Sequence, residues 1–470
     1  MVMTAQLQQT LRESKTARWI VLALVSFVML TGYLFTDILS PLKPLLLKDS
    51  ALDWNNSSYG FFTGAYSLFN VFFLFLIIGG IILDKLGIRF TGITFVSLMI
   101  VGAGINYYAL TPAFVNGGFG YDFMNSFFTS YSPSVKMAAL GFATFGVGVE
   151  IAGITVSKIL VKWFRGKELA LAMGLEMATA RFGMLAAFWF STRVAGEQEI
   201  ITRPVAFAAL LLVVGLLTFL IYAMMDAKYD KQEGVEEASA DPEDEFKISD
   251  LGKLFTNKAF MYIAILCVLF YSAVFPFMKY AADLFVNKFG TTADTGGFIA
   301  GLLPLGTMAL TPLFGSYLDN KGKGASIMIF GSILLIAVHL TFALAPSSTF
   351  IAWAGMIVLG IGFSLVPASM WPSVPKIVED RYLGSAYAVI FMIQNIGLMV
   401  VPMLIGYVLD VVNPGVTEQI QQGVEGAVYN YTVPMLIFAS TGILGLLFAY
   451  LLKKEDKKKG YGLELPNIQK

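Results

Sequence analysis

Twelve stretches of about 20 apolar residues recur along the chain, and that recurrence leaves few folds open. Their cores fall at residues 19–40, 59–83, 90–110, 136–163, 169–194, 204–225, 259–282, 295–318, 325–345, 349–375, 384–410 and 431–452. A helix satisfies its own backbone hydrogen bonds in lipid, so each core predicts a membrane-spanning helix. Of the 470 residues, 57% are hydrophobic and 14% charged, and the mean hydropathy is +0.71. A soluble chain carries about 25% charged residues. The polar start, Met1 to Arg18, runs into an apolar stretch too long for a signal sequence, so no cleavable signal is expected. Pro41 and Pro44 close the first span.

The remaining composition excludes several function classes. Net charge is zero, which removes the electrostatic ground for nucleic-acid binding. The single cysteine, Cys267, allows no disulfide within one chain and no thiol cluster. The single histidine, His339, argues against a multi-histidine zinc site and reads as structural. No metal and no cofactor is expected. No nucleotide-binding loop or catalytic triad is present, so neither ATP-driven pumping nor an enzyme is indicated.

Most of the 32 Lys and Arg residues fall on one side if both termini are cytoplasmic. Lys158 and Arg181 lie within spans, and Lys158 is expected to snorkel toward the inner surface. Residues 226–258 form a polar stretch with an acidic run from Glu233 to Glu245, read as a flexible cytoplasmic linker. It divides the spans six and six. The expected organisation is an N-terminal unit at 1–225, the linker, a C-terminal unit at 259–452 and a tail at 453–470. The loop from Thr111 to Ser134 is expected to pack over the outer mouth.

Two intramembrane charges stand out. Glu150 lies in the fourth span and Arg181 in the fifth, equally far from the charged turn Phe164-Arg165-Gly166-Lys167-Glu168. Antiparallel helices would set both about 20 Å from that turn, at one depth. Each costs at least ~2.5–3.5 kcal/mol to bury, so the pair marks a functional site or a structural ion pair locking two helices.

The chain also repeats itself. Gly80-x-x-x-Asp84-Lys85-x-Gly87-x-Arg89 follows the second span, and Gly315-x-x-x-Asp319-Asn-Lys321-Gly322 follows the eighth. The first glycine should permit close helix approach. The Asp should accept from amides of a neighbouring helix, and the second glycine should allow a tight turn. This spacing resembles the signature loop of the major facilitator superfamily. The resemblance implies an all-α membrane protein, with twelve transmembrane helices in two six-helix bundles around a cavity that opens alternately to each side. It also makes Gly80, Asp84, Lys85, Gly87, Arg89, Gly315, Asp319 and Gly322 gating residues. Asn320 departs from the pattern.

A second set of stretches resembles the lysosomal dipeptide transporter family, major facilitator superfamily domain-containing protein 1. These are Gly32-Tyr33-Leu-Phe-Thr-Asp37, Trp163-Phe-Arg-Gly-Lys-Glu-Leu169, Ala180-Arg181-Phe-Gly183, Ala273-Val-Phe-Pro-Phe277, Met370-Trp371-Pro372 and Gln394-Asn395-Ile-Gly-Leu398. The resemblance implies a carrier of dipeptides, by uniport or with protons, in which Glu150 and Arg181 hold the two ends of the peptide. Glu176 departs from the family pattern and offers a carboxyl for proton coupling or side-chain selection.

Chemistry agrees with such a role. Arg181 can grip a carboxylate bidentately and Glu150 can accept from an ammonium. In an empty site the two could pair with each other or with water. Glu176 and Arg181, five apart, do not share a helix face. Tyr33 and Asp37 do, which makes Tyr33 a candidate for cavity lining and substrate binding, and Asp37 one for cavity lining, helix capping or proton coupling. Tyr271 before Pro276, the aromatic Trp371 and either Gln394 or Asn395 complete the candidate binding set, with interhelix hydrogen bonding as the alternative for the two amides. Organic-anion transport through Arg181 alone, or a non-transporting receptor, are the competing functions. The expected partners are a small-molecule substrate and the bilayer. A monomer is expected, and the sequence is silent on an accessory subunit. A bacterial cytoplasmic membrane is the expected home and a lysosomal one the alternative; Asn56-Ser-Ser and Asn430-Tyr-Thr are two glycosylation sequons on the outer side.

Overall fold

The computed structural model describes residues 11, 14–164, 166–233, 248–379 and 382–467. Most of the acidic run and the charges Arg12, Arg165, Lys247, Arg381 and Lys470 lie outside the described residues. Among the described residues there is no strand.

Among the described residues there are twelve spans. The first is Lys15–Asp37, started by Ser14, whose side chain accepts from the Ala17 amide. The second is built of Asn56–Ala65, Leu68–Phe72 and the opening of Phe75–Ala109; the third is the rest of that last helix. Gly87 divides them with φ 78° and ψ 174°, a conformation open to glycine. Among the described residues eleven helices are therefore long and apolar enough to cross a membrane, two spans being joined through Gly87. The fourth to seventh spans are Pro133–Phe164, Leu169–Ala195, Thr202–Glu233 and Lys258–Phe289. The eighth joins Ala293–Ala300 to Leu302–Lys321. The ninth to twelfth are Gly324–Leu344, Thr349–Met370, Leu383–Val412 and Thr432–Lys459. The sixth helix runs past the end expected at 225, Ile248–Thr256 is helical within the expected linker, and the twelfth runs into the expected tail.

Small residues bring the helices together. A Cβ on Gly102 would lie 2.4 Å from the Phe145 nitrogen, joining third and fourth spans. A Cβ on Gly60 would lie 2.5 Å from the Pro402 carbonyl, and one on Gly64 equally close to that of Met399. These two contacts press the second span against the eleventh, across the two halves. By contrast, Gly80 and Gly315 face open space, so the expectation that they permit close approach is not met here.

The signature loop is held by side chains instead of helix amides. Asp84 pairs with Lys158 at 2.7 Å, which also explains why Lys158 does not simply reach for the surface. Arg89 pairs with Asp230 at 2.7 Å and Asp226 at 3.2 Å. Asp226 further accepts from Trp163 Nε1 at 2.9 Å. Lys85 is exposed.

The second copy is braced by the C-terminal segment. The amides of Lys323 and Gly324 donate to the carbonyls of Glu464 and Leu463 at 3.0 and 2.9 Å. The Glu464 carboxylate accepts from the Ser326 amide and hydroxyl, both at 2.8 Å, near the start of the ninth span. Asn467 Nδ2 donates to Asp319 at 2.8 Å. Gly322 has φ 70° and ψ −139°, and a Cβ there would lie 2.5 Å from the Glu464 carbonyl oxygen. Gly322→Ala is therefore expected to dislodge residues 461–467 at a cost of about 1–3 kcal/mol. Hydrogen exchange at the Leu463 amide checks this; unchanged protection in the variant would refute it.

Candidate functional site

The hairpin of fourth and fifth spans places Glu150 and Arg181 half-buried between the halves. They are not an ion pair. Glu150 Oε1 accepts from the Tyr66 hydroxyl at 2.7 Å. Tyr66 stands where the second span breaks between Ala65 and Leu68. The break is pressed onto the fourth span, since a Cβ on Gly146 would fall 2.0 Å from the Tyr66 carbonyl oxygen. Glycine at 146 thus lets the two backbones touch where the Tyr66 hydroxyl meets the carboxylate.

Arg181 makes no ion pair with Glu150 or Glu176, and its buried Nη1 has no hydrogen-bond partner among the described residues. Its guanidinium carbon lies 5.7 Å from the Tyr33 ring centre, 5.5 Å from Phe275 and 5.7 Å from Phe363. Ring quadrupoles attract a cation at such distances, by about 2 kcal/mol or more where water is excluded. The acid and the base of the site therefore each rest on neutral neighbours. The option of mutual pairing in an empty site, and with it a helix-locking ion pair, is not taken. Both charges remain available for ligands of opposite sign.

The C-terminal half supplies an aromatic wall. Trp371 Nε1 donates to the Tyr271 hydroxyl at 3.0 Å. Trp371 also stacks on Phe391, with centroids 5.1 Å apart. Phe363 meets Tyr271 edge-on at 5.8 Å and Phe275 at 5.4 Å.

Other candidates are placed differently. Gln394 is buried and accepts from the Cys267 thiol at 3.7 Å, so interhelix bonding describes it. Asn395 is buried and donates to the Phe391 carbonyl of its own helix at 3.1 Å. Neither amide is directed to Arg181 or Glu150 by a hydrogen bond. Asp37, buried at the end of its helix, pairs with Lys279 of the other half at 2.7 Å and accepts from the Ser40 hydroxyl at 3.3 Å. Glu176 is half-buried on the fifth span. His339 lies 2.9 Å through Nε2 from the Ala273 carbonyl, between Phe277 and Phe438, which is a structural role.

The face opposite the termini is closed by polar contacts between halves. Lys43 and Asp283, 0% and 1% exposed in their side chains, pair at 2.5 Å. Asn56 Oδ1 accepts from Lys43 at 2.7 Å, and Tyr431 hydrogen-bonds Asp283. Asp410 accepts from the Ser57 amide at 2.7 Å and from Asn56 Nδ2 at 3.0 Å. The Tyr59 hydroxyl donates to the Lys279 carbonyl at 2.8 Å.

Sequence reasoning missed Tyr66, Phe363, Lys43 and Asp283, and gave Phe275 no role. Asp283 carried the clearest signal, an acid one position beyond an apolar core. The rings carried none among 40 Phe and 20 Tyr.

Comparison with known proteins bears on this arrangement. The family model described as Major Facilitator Superfamily matches residues 25–402 and 277–465. The lysosomal dipeptide transporter MFSD1 of Mus musculus is 27% identical over 407 residues, covering 84% of this chain and 80% of that protein. Its counterpart from Danio rerio is 28% identical over 406 residues, covering 84% and 81%. A putative tartrate transporter of Agrobacterium vitis is 24% identical over 416 residues, covering 85% and 89%. Among solved structures, a bacterial homolog of the human lysosomal transporter Spinster, inward-facing and occupied, superposes with a TM-score of 0.69 at 12% identity, covering 95% of this chain and 98% of that one. That last likeness speaks for the fold alone.

Proposed function

The chain belongs to the major facilitator superfamily, and from that premise we propose that it carries dipeptides or similarly small zwitterions across its membrane by alternating access. The observation that carries this reading is the pair of unspent charges. Arg181 has a buried nitrogen without a partner among the described residues, and Glu150 is held by a neutral hydroxyl instead of a cation. A zwitterion would supply both missing partners in one molecule. Arg181 would then exchange ring contacts for charge-assisted hydrogen bonds, and Glu150 would gain a cationic donor beside the Tyr66 hydroxyl. The relatives named as dipeptide transporters support the choice of substrate class.

The carrier acts as a monomer in this reading, by uniport or with a proton taken up at Glu176. The positive-inside bias supports cytoplasmic termini. A bacterial cytoplasmic membrane is the home in this reading; of the two outer sequons, Asn56 is buried and bonded to Lys43, while Asn430 is exposed.

Competition in proteoliposomes tests the substrate class. Uptake of a labelled dipeptide should be inhibited by other free dipeptides and about tenfold or more less by their amino-terminally acetylated forms, since acetylation removes the charge that Glu150 meets. Equal inhibition by acetylated peptides and simple carboxylates such as tartrate would replace the zwitterion reading with organic-anion transport. No flux of any of these under any ion gradient would remove the transport reading.

A further inference from the structure

The surroundings of Arg181 come from both halves of the protein. Arg181 and Tyr33 belong to the N-terminal half, while Phe275 is on the seventh span and Phe363 on the tenth. The C-terminal rings are not loose. Phe363 stacks on Phe270 at 5.8 Å with 1° between planes, and meets Tyr271 and Phe275 edge-on. It is 2% exposed. Phe275 is also tilted against Tyr271 at 5.4 Å. The two rings are thus parts of a packed aromatic wall with fixed orientations.

We propose that Phe275 and Phe363 are positioning residues, which hold the Arg181 guanidinium ready for a substrate carboxylate, so that this end of the site is complete only when both halves contribute. This inference rests on the dipeptide reading of the site. A guanidinium binds a carboxylate through its N–H edge, with two parallel bonds in one plane. A long arginine side chain free to rotate would lose much of that advantage on ordering. The rings remove the freedom beforehand. They offer no hydrogen-bond acceptor, so they hold the cation without consuming its donors, and Nη1 stays unpartnered. Glu176, five positions away on the same helix, would have consumed them had it paired. Because the rings ride on the other half, a bound carboxylate on Arg181 is sensed by both halves at once.

The test is Phe275→Leu and Phe363→Leu, each preserving apolar bulk, with Phe275→Tyr as the conservative variant that restores an aromatic face. Affinity is read by thermal shift with glycyl-glycine, alanyl-alanine and leucyl-leucine. Each Leu variant should weaken all three peptides alike, by about 5- to 30-fold, and Phe275→Tyr should retain most of the parent affinity. Should Phe363→Leu fail to fold, the half-buried Phe275 still decides the matter. Unchanged affinity in the Phe275→Leu variant overturns the inference. So does a loss that grows with peptide side-chain size, because that would mark a wall for side chains. A parent protein that binds none of the three peptides removes the dipeptide reading itself, and is told apart from the other outcomes by that control.

Discussion

Arg181→Ala abolishes dipeptide-induced thermal stabilisation and uptake while the protein still inserts and folds. Two charge-assisted hydrogen bonds to a carboxylate contribute about 1.5–3 kcal/mol each, so affinity falls by at least about 100-fold. Folding survives because Arg181 pairs with no carboxylate among the described residues. Glu150 keeps the Tyr66 hydroxyl, so the substitution strands no buried negative charge. What is lost on the folding side is the attraction to three rings, partly returned by no longer burying a cation. Arg181→Lys should retain charge but not the planar fork, and should fall between parent and Ala. Thermal shift with and without dipeptide, beside size-exclusion profiles, checks both variants. An Arg181→Ala protein that aggregates but is rescued by Glu150→Gln would establish a structural pair instead.

The two charges were legible because an apolar run makes any charge conspicuous, and antiparallel spans of matched length put them at one depth. Their partners were not. Which neighbour a buried charge chooses depends on the tilt of helices, and that is set by contacts such as Gly146 against Tyr66, invisible in a linear pattern. The repeated loop shows the same division. The turn glycines Gly87 and Gly322 were readable, since a left-handed conformation calls for glycine. The partners of Asp84 and Asp319 were not, because one is a lysine on the fourth span and the other an asparagine near the end of the chain. The partner of Asp37 was hidden for a related reason. Helix periodicity gives the face a residue shares with its neighbours, but Lys279 reaches that face from the opposite half.

Asp283→Asn opens the face opposite the termini. Lys43 brings a cation into a site formed by both halves, with Asn56 from its own side and Asp283 and Tyr431 from the other. Four tyrosine rings, those of Tyr59, Tyr280, Tyr429 and Tyr431, stand 5.3 to 5.9 Å from its nitrogen. Burial pushes the Lys43 ammonium below its usual range, and Asp283 is the main opposing pull. Removing that carboxylate leaves a buried cation with neutral hydrogen-bond partners and only the more distant Asp410 carboxylate to offset it, which costs about 3–5 kcal/mol. The cost falls on the closed arrangement alone, because separating the halves returns Lys43 to water. The equilibrium between closed and open at this face should then shift by about 150- to 5,000-fold. A cysteine at Thr63, buried near this face, in a Cys267→Ser background reports the change through labelling by a membrane-impermeant maleimide. Labelling should accelerate strongly in Asp283→Asn. The double variant Lys43→Met/Asp283→Leu carries the opposite expectation. Replacing both members of a buried pair by apolar groups is often neutral, so it should label more slowly than the single variant. A double variant that opens as far as Asp283→Asn would show that the contact's shape, not its charge balance, keeps this face shut.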